Sequence, residues 1–285
     1  MTMWPSSKLD VCGRTEKKVI VTTGLGWLRR FAGEANGRPA LVVCPHAGGG
    51  ASSYRGLATA AATTFDPIVL QYPGRQDRST ETPLETIPEL AAAAFDEVAD
   101  DFALDVGPVT VFGHSMGAIV AFELTRLLEA DGIEVRLLMS SGAVSPARVV
   151  DVPDHPSDEE GLLAHLQALS GTGADLLDNE ALMRMALPAL RADYGAFDRY
   201  SVGRDVAVAA PIHTLGGDDD VHIAPADLFR WGDHTGSGHR VTMFPGAHFF
   251  LYDHFSSIAE LLAADVPAPA SVTNLAARTS LVGAS

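Results

Sequence analysis

The feature that most constrains what this chain can fold into is the pentapeptide Gly113-His114-Ser115-Met116-Gly117 together with its flanks. An apolar, β-branched run, PVTVF at 108–112, leads into it, and AIVAFELTRLLEA follows with helical spacing. A strand that passes directly into a helix must reverse through one sharp turn, and glycines at both ends of the turn let the two backbones come close. Such an elbow lifts the serine hydroxyl above the carboxyl edge of a sheet. The pentapeptide alone is unspecific, because Gly and Ser are common. Its position between a strand and a helix is what makes it informative.

The same alternation runs through most of the chain. PALVVC (39–44), PIVLQ (67–71), VRLLMS (135–140), VAAPIHTL (208–215) and RVTMF (240–244) read as further strands, with a short edge element around 19–21. Helices are predicted from Ser53, over 86–104, over Met116–Ala130, and over 225–233 and 253–264. In the second of these, Leu90, Ala94, Val98 and Phe102 share a face. Strands apolar on both faces and separated by helices predict an α/β fold, a mostly parallel sheet covered on both sides. One domain is expected over 27–264. It follows an N-terminal extension, 1–26, and precedes a stretch of small and polar residues, 265–285, read as a disordered tail. Between about 145 and 200 the pattern is helical and offers no strand. An insert of this kind is expected to form a helical lid over the site rather than an elongated crossover.

A serine nucleophile needs a general base, and the base needs an acid to orient it. His248, in FPGAHFFL, follows the last strand and so belongs at the same sheet edge as Ser115. His234 and His239 precede that strand and fall at the opposite edge. The turn LGGDDDVHIAP offers Asp218, Asp219 and Asp220. A G-x-x-D spacing from Gly217 favours Asp220, and the register Gly216 to Asp219 competes with it. After the fourth strand no carboxylate appears before Asp151. Pro45-His46-Ala47-Gly48-Gly49-Gly50 follows the first long strand without the G-K-[ST] of a phosphate loop. Its expected part is to supply the backbone N–H of Ala47 to an oxyanion hole, with Met116 N–H as the second donor. His46 is expected to be structural.

Composition narrows the classes further. With 20 basic and 36 acidic residues the formal charge is −16, which disfavours nucleic acid as a partner. No run approaches the roughly 18 apolar residues of a membrane helix, and the first residues lack the apolar core of a secretory signal. Cys12 and Cys44 fit no metal or redox spacing, and His234 and His239 lack a third ligand. A cytoplasmic protein with no metal and no cofactor is expected.

At this point the chain resembles the standalone type II thioesterases of polyketide and nonribosomal peptide biosynthesis. The matching pieces are WLRRF (27–31), PHAGGGASSYRGLA (45–58), YPGRQDR (72–78), GHSMGAIVAFELTRLLE (113–129), SGTGADLLDNEALMRMALPALRADY (170–194) and GAHFFL (246–251). The resemblance implies an α/β-hydrolase fold, a triad of Ser115, Asp220 and His248, and a helical lid. It also implies an editing role, in which aberrant or stalled acyl groups are removed from the phosphopantetheine arms of acyl or peptidyl carrier proteins. Leu182, Met185 and Leu190 are then expected to line the acyl pocket from the lid. The missing acid after LLMS points away from the chain-releasing enzymes of the same systems. Val221 departs from the Pro that many relatives carry. Two other readings share the fold: a general carboxylesterase or lipase, and a catalytically inactive binding protein.

Overall fold

A computed structural model describes residues 26–33, 37–101, 107–170 and 180–264. Seven strands form one sheet: β1 (Leu28–Arg29), β2 (Ala40–Cys44), β3 (Asp66–Leu70), β4 (Val109–His114), β5 (Val135–Ser141), β6 (Ile212–Gly217) and β7 (His239–Phe244). Their order is β1-β3-β2-β4-β5-β6-β7. β1 runs antiparallel to β3, with Leu28 opposite Leu70 and Arg29 opposite Val69, and every other pairing is parallel. The edge element expected at 19–21 lies outside the described residues. The antiparallel edge strand comes instead from WLRRF, in a piece too short for any periodicity to reveal.

The sheet is covered on both faces, and its central strands are buried at nearly every position. In β2, Ala40, Val42 and Cys44 join one core while Leu41 and Val43 join the other. Side chains alternate across a strand, so a continuous apolar run feeds two cores at once. Helices α2 (Ile87–Asp101) and α3 (Met116–Ala130) pack together on one side, and α1 (Arg55–Ala61) and α7 (Phe255–Ala264) on the other. The buried stripe of α2 is Ile87, Leu90, Ala91, Ala94 and Val98. Phe102, expected to extend it, lies outside the described residues.

Two strands differ from expectation. β6 starts at Ile212 rather than at 208, because Pro211 has no N–H to give to a ladder. The N–H groups of Ala209 and Ala210 bond the Glu129 carboxylate instead, each at 2.8 Å. β7, expected to be apolar on both faces, is an edge strand in which only Phe244 is buried. The predicted helix over 225–233 is α6 (Pro225–Phe229) continued by a 3₁₀ turn, Arg230–His234.

The described residues of 145–200 contain no strand. They form a 3₁₀ turn (Pro146–Asp151) and helices α4 (Glu159–Ser170) and α5 (Glu180–Asp198), and α5 packs on α4, on α3 and on that turn. The chain leaves β2 for β3 on one side and returns to β4 on the other. The loops after β2 and β4 therefore diverge at a topological switch point, where α/β sheets open a crevice.

Candidate active site

The elbow after β4 is built by two close approaches. A methyl group on Gly113 would lie 2.1 Å from the Gly117 carbonyl oxygen, and one on Gly117 would lie 2.2 Å from the Cys44 carbonyl oxygen. Only hydrogen fits at either place. Ser115, between them, has φ 55° and ψ −126°, a left-handed conformation that costs a non-glycine residue about 1–3 kcal/mol. Its N–H is fixed to the Ser141 carbonyl at 2.8 Å. Met116 is the first residue of α3, so its N–H has no intrahelical acceptor.

His248 follows β7, and its Nδ1 lies 2.8 Å from Asp220 Oδ2, with both side chains buried. The other carboxylate oxygen, Oδ1, accepts the N–H groups of His222 (2.9 Å) and Ile223 (3.3 Å). Burial pushes the Asp220 carboxyl upward. The His248 hydrogen bond and charge, joined by the two N–H donors, outweigh it and hold the group below its ordinary range. The neighbouring acids do other things. Asp218 Oδ1 accepts Gly246 N–H at 2.9 Å, tying the β6 turn to the loop that carries His248, and Asp219 is exposed.

Ala47, in the loop after β2, is buried beside this group. Neighbouring N–H groups are committed within the protein: His46 to Tyr54 Oη (3.2 Å), Gly48 to Asp193 Oδ2 (2.7 Å), Gly49 to the His46 carbonyl (3.0 Å) and Ala51 to Gln71 Oε1 (2.7 Å). His46 is held by Tyr54 Oη at 2.8 Å from Nδ1. Burial, then the nearby His248 and Arg75, keep its ring neutral down to about pH 3. His114, under the elbow, contacts Ser141 Oγ at 3.0 Å and stays neutral for the same chief reason, burial. Both have the structural surroundings expected of His46.

Ser115, His248 and Ala47 open onto one cavity of about 400 Å³. Its apolar wall combines Ala143 and Val144 after β5 with Leu166 of α4 and Tyr194 and Phe197 of α5. His155, His165 and His222 line another part. His155 stacks on Tyr194 at 4.0 Å and bonds Asp198 through Nδ1 at 2.5 Å. Burial holds His165 neutral down to about pH 4. Of the expected lid residues, Leu182 and Met185 lie in the first turns of α5, where side chains are not described. Leu190 is buried against Gly48, one residue beyond Ala47, and the α5 side chains in the cavity wall are Tyr194 and Phe197.

His234 and His239 have structural partners. His234 donates from Nδ1 to the Val206 carbonyl (2.7 Å) and accepts Ala147 N–H (3.3 Å), and His239 meets Thr214 Oγ1 (3.0 Å). Among the described residues no group of three or more His, Cys, Asp or Glu side chains is arranged to hold a metal ion. No described helix is long and apolar enough to cross a membrane.

Comparison with known proteins decides the family. The thioesterase-domain profile matches residues 39–266. This chain belongs to the thioesterase family. Phenyloxazoline synthase MbtB of Mycobacterium tuberculosis is 40% identical over 242 residues, covering 84% of this chain but 17% of the synthase. Thioesterase PikA5 of Streptomyces venezuelae is 36% identical over 245 residues and is covered to 86%, as is this chain. Among solved structures, the type II thioesterase BorB from the borrelidin biosynthetic cluster superposes with a TM-score of 0.75 at 38% identity. That match covers 86% of this chain and 99% of BorB. The thioesterase family and the mostly parallel sheet agree with the α/β-hydrolase fold that the sequence predicts.

Proposed function

We propose that this thioesterase is a type II, editing enzyme of polyketide or nonribosomal peptide assembly, acting in the cytoplasm on acyl groups held by carrier proteins. The observation that carries the reading is the 2.8 Å contact of Asp220 with Nδ1 of His248, which lines the same cavity as the strained Ser115. The likeness to BorB, a type II thioesterase, and to thioesterase PikA5 supports the type II reading.

In this mechanism Asp220 accepts the Nδ1–H of His248, which leaves Nε2 as the base. Nε2 takes the Ser115 proton as Oγ attacks the thioester carbonyl. The tetrahedral oxyanion forms against the N–H groups of Ala47 and Met116. Collapse breaks the C–S bond, and the pantetheine sulfur leaves with the proton from His248. Water, deprotonated by the same Nε2, then attacks the acyl-serine and releases the free acid. The apolar wall of Ala143, Val144, Leu166, Tyr194 and Phe197 suits an acyl chain. With −16 on this chain, docking of an acidic carrier rests on apolar contacts and a few local arginines, not on bulk attraction.

A panel of acyl carrier proteins, acyl-coenzyme A and simple oxyesters tests the assignment. Thioesters on carrier proteins should be hydrolysed with the highest kcat/KM, and Ser115→Ala should abolish turnover on all of them. A steady preference for oxyesters would make the protein a carboxylesterase, and inertness of the folded wild-type protein would make it a binding protein.

A further inference from the structure

The lid helix α5 reaches the oxyanion loop through one buried carboxylate. Asp193 forms a two-pronged pair with Arg75, Oδ2 to Nη1 at 2.7 Å and Oδ1 to Nη2 at 2.9 Å. The two side chains are 0% and 2% exposed. Oδ2 is used twice, since it also accepts Gly48 N–H at 2.7 Å. Gly48 has φ +70°, and a methyl group there would sit 3.0 Å from Leu190 Cδ1. Leu190 and Asp193 are three residues apart, hence on one face of α5, and this face holds the peptide that joins Ala47 to Gly48. Arg75 serves the same loop through its backbone. Its carbonyl accepts Gln71 Nε2 (3.0 Å), and Gln71 Oε1 in turn accepts Ala51 N–H (2.7 Å).

We propose that Asp193 is a positioning residue for the reaction: from the lid helix, paired with Arg75, it sets the peptide plane next to Ala47 and so aims the oxyanion-hole N–H. This inference rests on the reading of Ala47 as an oxyanion donor. The Ala47 N–H and the Gly48 N–H belong to peptides that share the Ala47 Cα. With the second plane pinned by a charged acceptor, the Ala47 torsions cannot drift, and the first plane keeps its direction. A buried ion pair is weak evidence for stability, because apolar replacement is often neutral or stabilising. The Gly48 contact gives this pair something further to do. Seating α5 and assembling the hole become one event.

The test compares the hexanoyl thioester of N-acetylcysteamine with its dithio analogue, in which sulfur replaces the carbonyl oxygen. A well-aimed hole favours the oxygen compound, because sulfur is a poor acceptor for the hole's N–H groups. Asp193→Asn should lower kcat at least about tenfold, change KM less than about threefold, and shrink the oxygen-over-sulfur preference in proportion to kcat. Wild-type kcat, or an unchanged preference at reduced thermal stability, would overturn the proposal and leave the pair merely structural. If Asp193→Asn does not fold because Arg75 is left unpaired, Arg75→Met combined with Asp193→Leu removes both charges. That double variant should fold yet keep a low kcat and a reduced preference. Full activity in it would equally overturn the proposal. Failure of the underlying reading looks different: turnover that survives Ser115→Ala, or no thioester hydrolysis by the wild type.

Discussion

Gly117 has no room for any side chain, because a methyl group there would meet carbonyl oxygens of Cys44 and Pro45 at 2.2 and 2.5 Å. Backbone cannot yield as a side-chain tip can, so Gly117→Ala should lower stability by at least about 3 kcal/mol in urea unfolding. A loss below about 1 kcal/mol would show that the elbow tolerates a shift. The three adjacent aspartates of 218–220 separate cleanly by partner. Asp220→Asn offers the wrong hydrogen-bonding group to His248 and should reduce kcat by about 10³- to 10⁴-fold, as the analogous change does in a serine protease. Asp219→Asn should change it less than about twofold, since that carboxylate is exposed. Equal losses in the two variants would undo the assignment of the acid. The sequence makes this turn legible because position after a strand end determines which edge a loop occupies. It could not reveal Arg75 and Asp193, which lie 118 residues apart. Each sat in a segment noted for its resemblance, but a buried charge and a solvated one look the same without the partner.

At the scale of elements, helical periodicity marked most of the insert as helix, while nothing in that pattern distinguished which side of α5 touches what. Tyr194 and Phe197 face the cavity, whereas Leu190 and Asp193 face Gly48 in the loop after β2. A helical cover over the cavity is therefore contributed by Leu166 of α4 together with Tyr194 and Phe197 of α5. Leu166→Trp, from α4, should reduce hydrolysis of octanoyl relative to acetyl thioesters by about tenfold or more, read as a ratio of kcat/KM. A uniform loss at all chain lengths would mean that α4 is structural packing. Leu190→Ala removes a buried side chain at a contact with Gly48 and should cost about 2–5 kcal/mol of stability. The strand errors were equally physical. β1 has two residues and no period, Pro211 delayed β6, and β7, at the edge of the described sheet, buries only Phe244.

For the molecule as a whole, the parallel sheet was legible because strands buried on both faces read as unbroken apolar runs. Its acid response was not, because it depends on which histidines become buried. His46 stays neutral down to about pH 3 and His114 well below its ordinary range, against about 6.5 in an unfolded chain. Below pH 6.5 the unfolded state thus binds protons that the folded state refuses, and stability falls as pH falls. Each such histidine adds a slope of the same sign, so unfolding free energy should fall as pH is lowered from 6 to 5. A flat profile across that interval in urea titrations would show that the two rings can protonate in place.

The central claim is that the thioester acyl group passes through Ser115. It is tested most directly by rapid acid quench of the enzyme during turnover of hexanoyl-pantetheine, followed by mass spectrometry of its peptides. The account predicts a hexanoyl adduct on Ser115 that forms before steady state, decays when substrate is exhausted, and is absent from Ser115→Ala. Turnover with no acyl-enzyme at any time, or an adduct mapped to another residue, would contradict it.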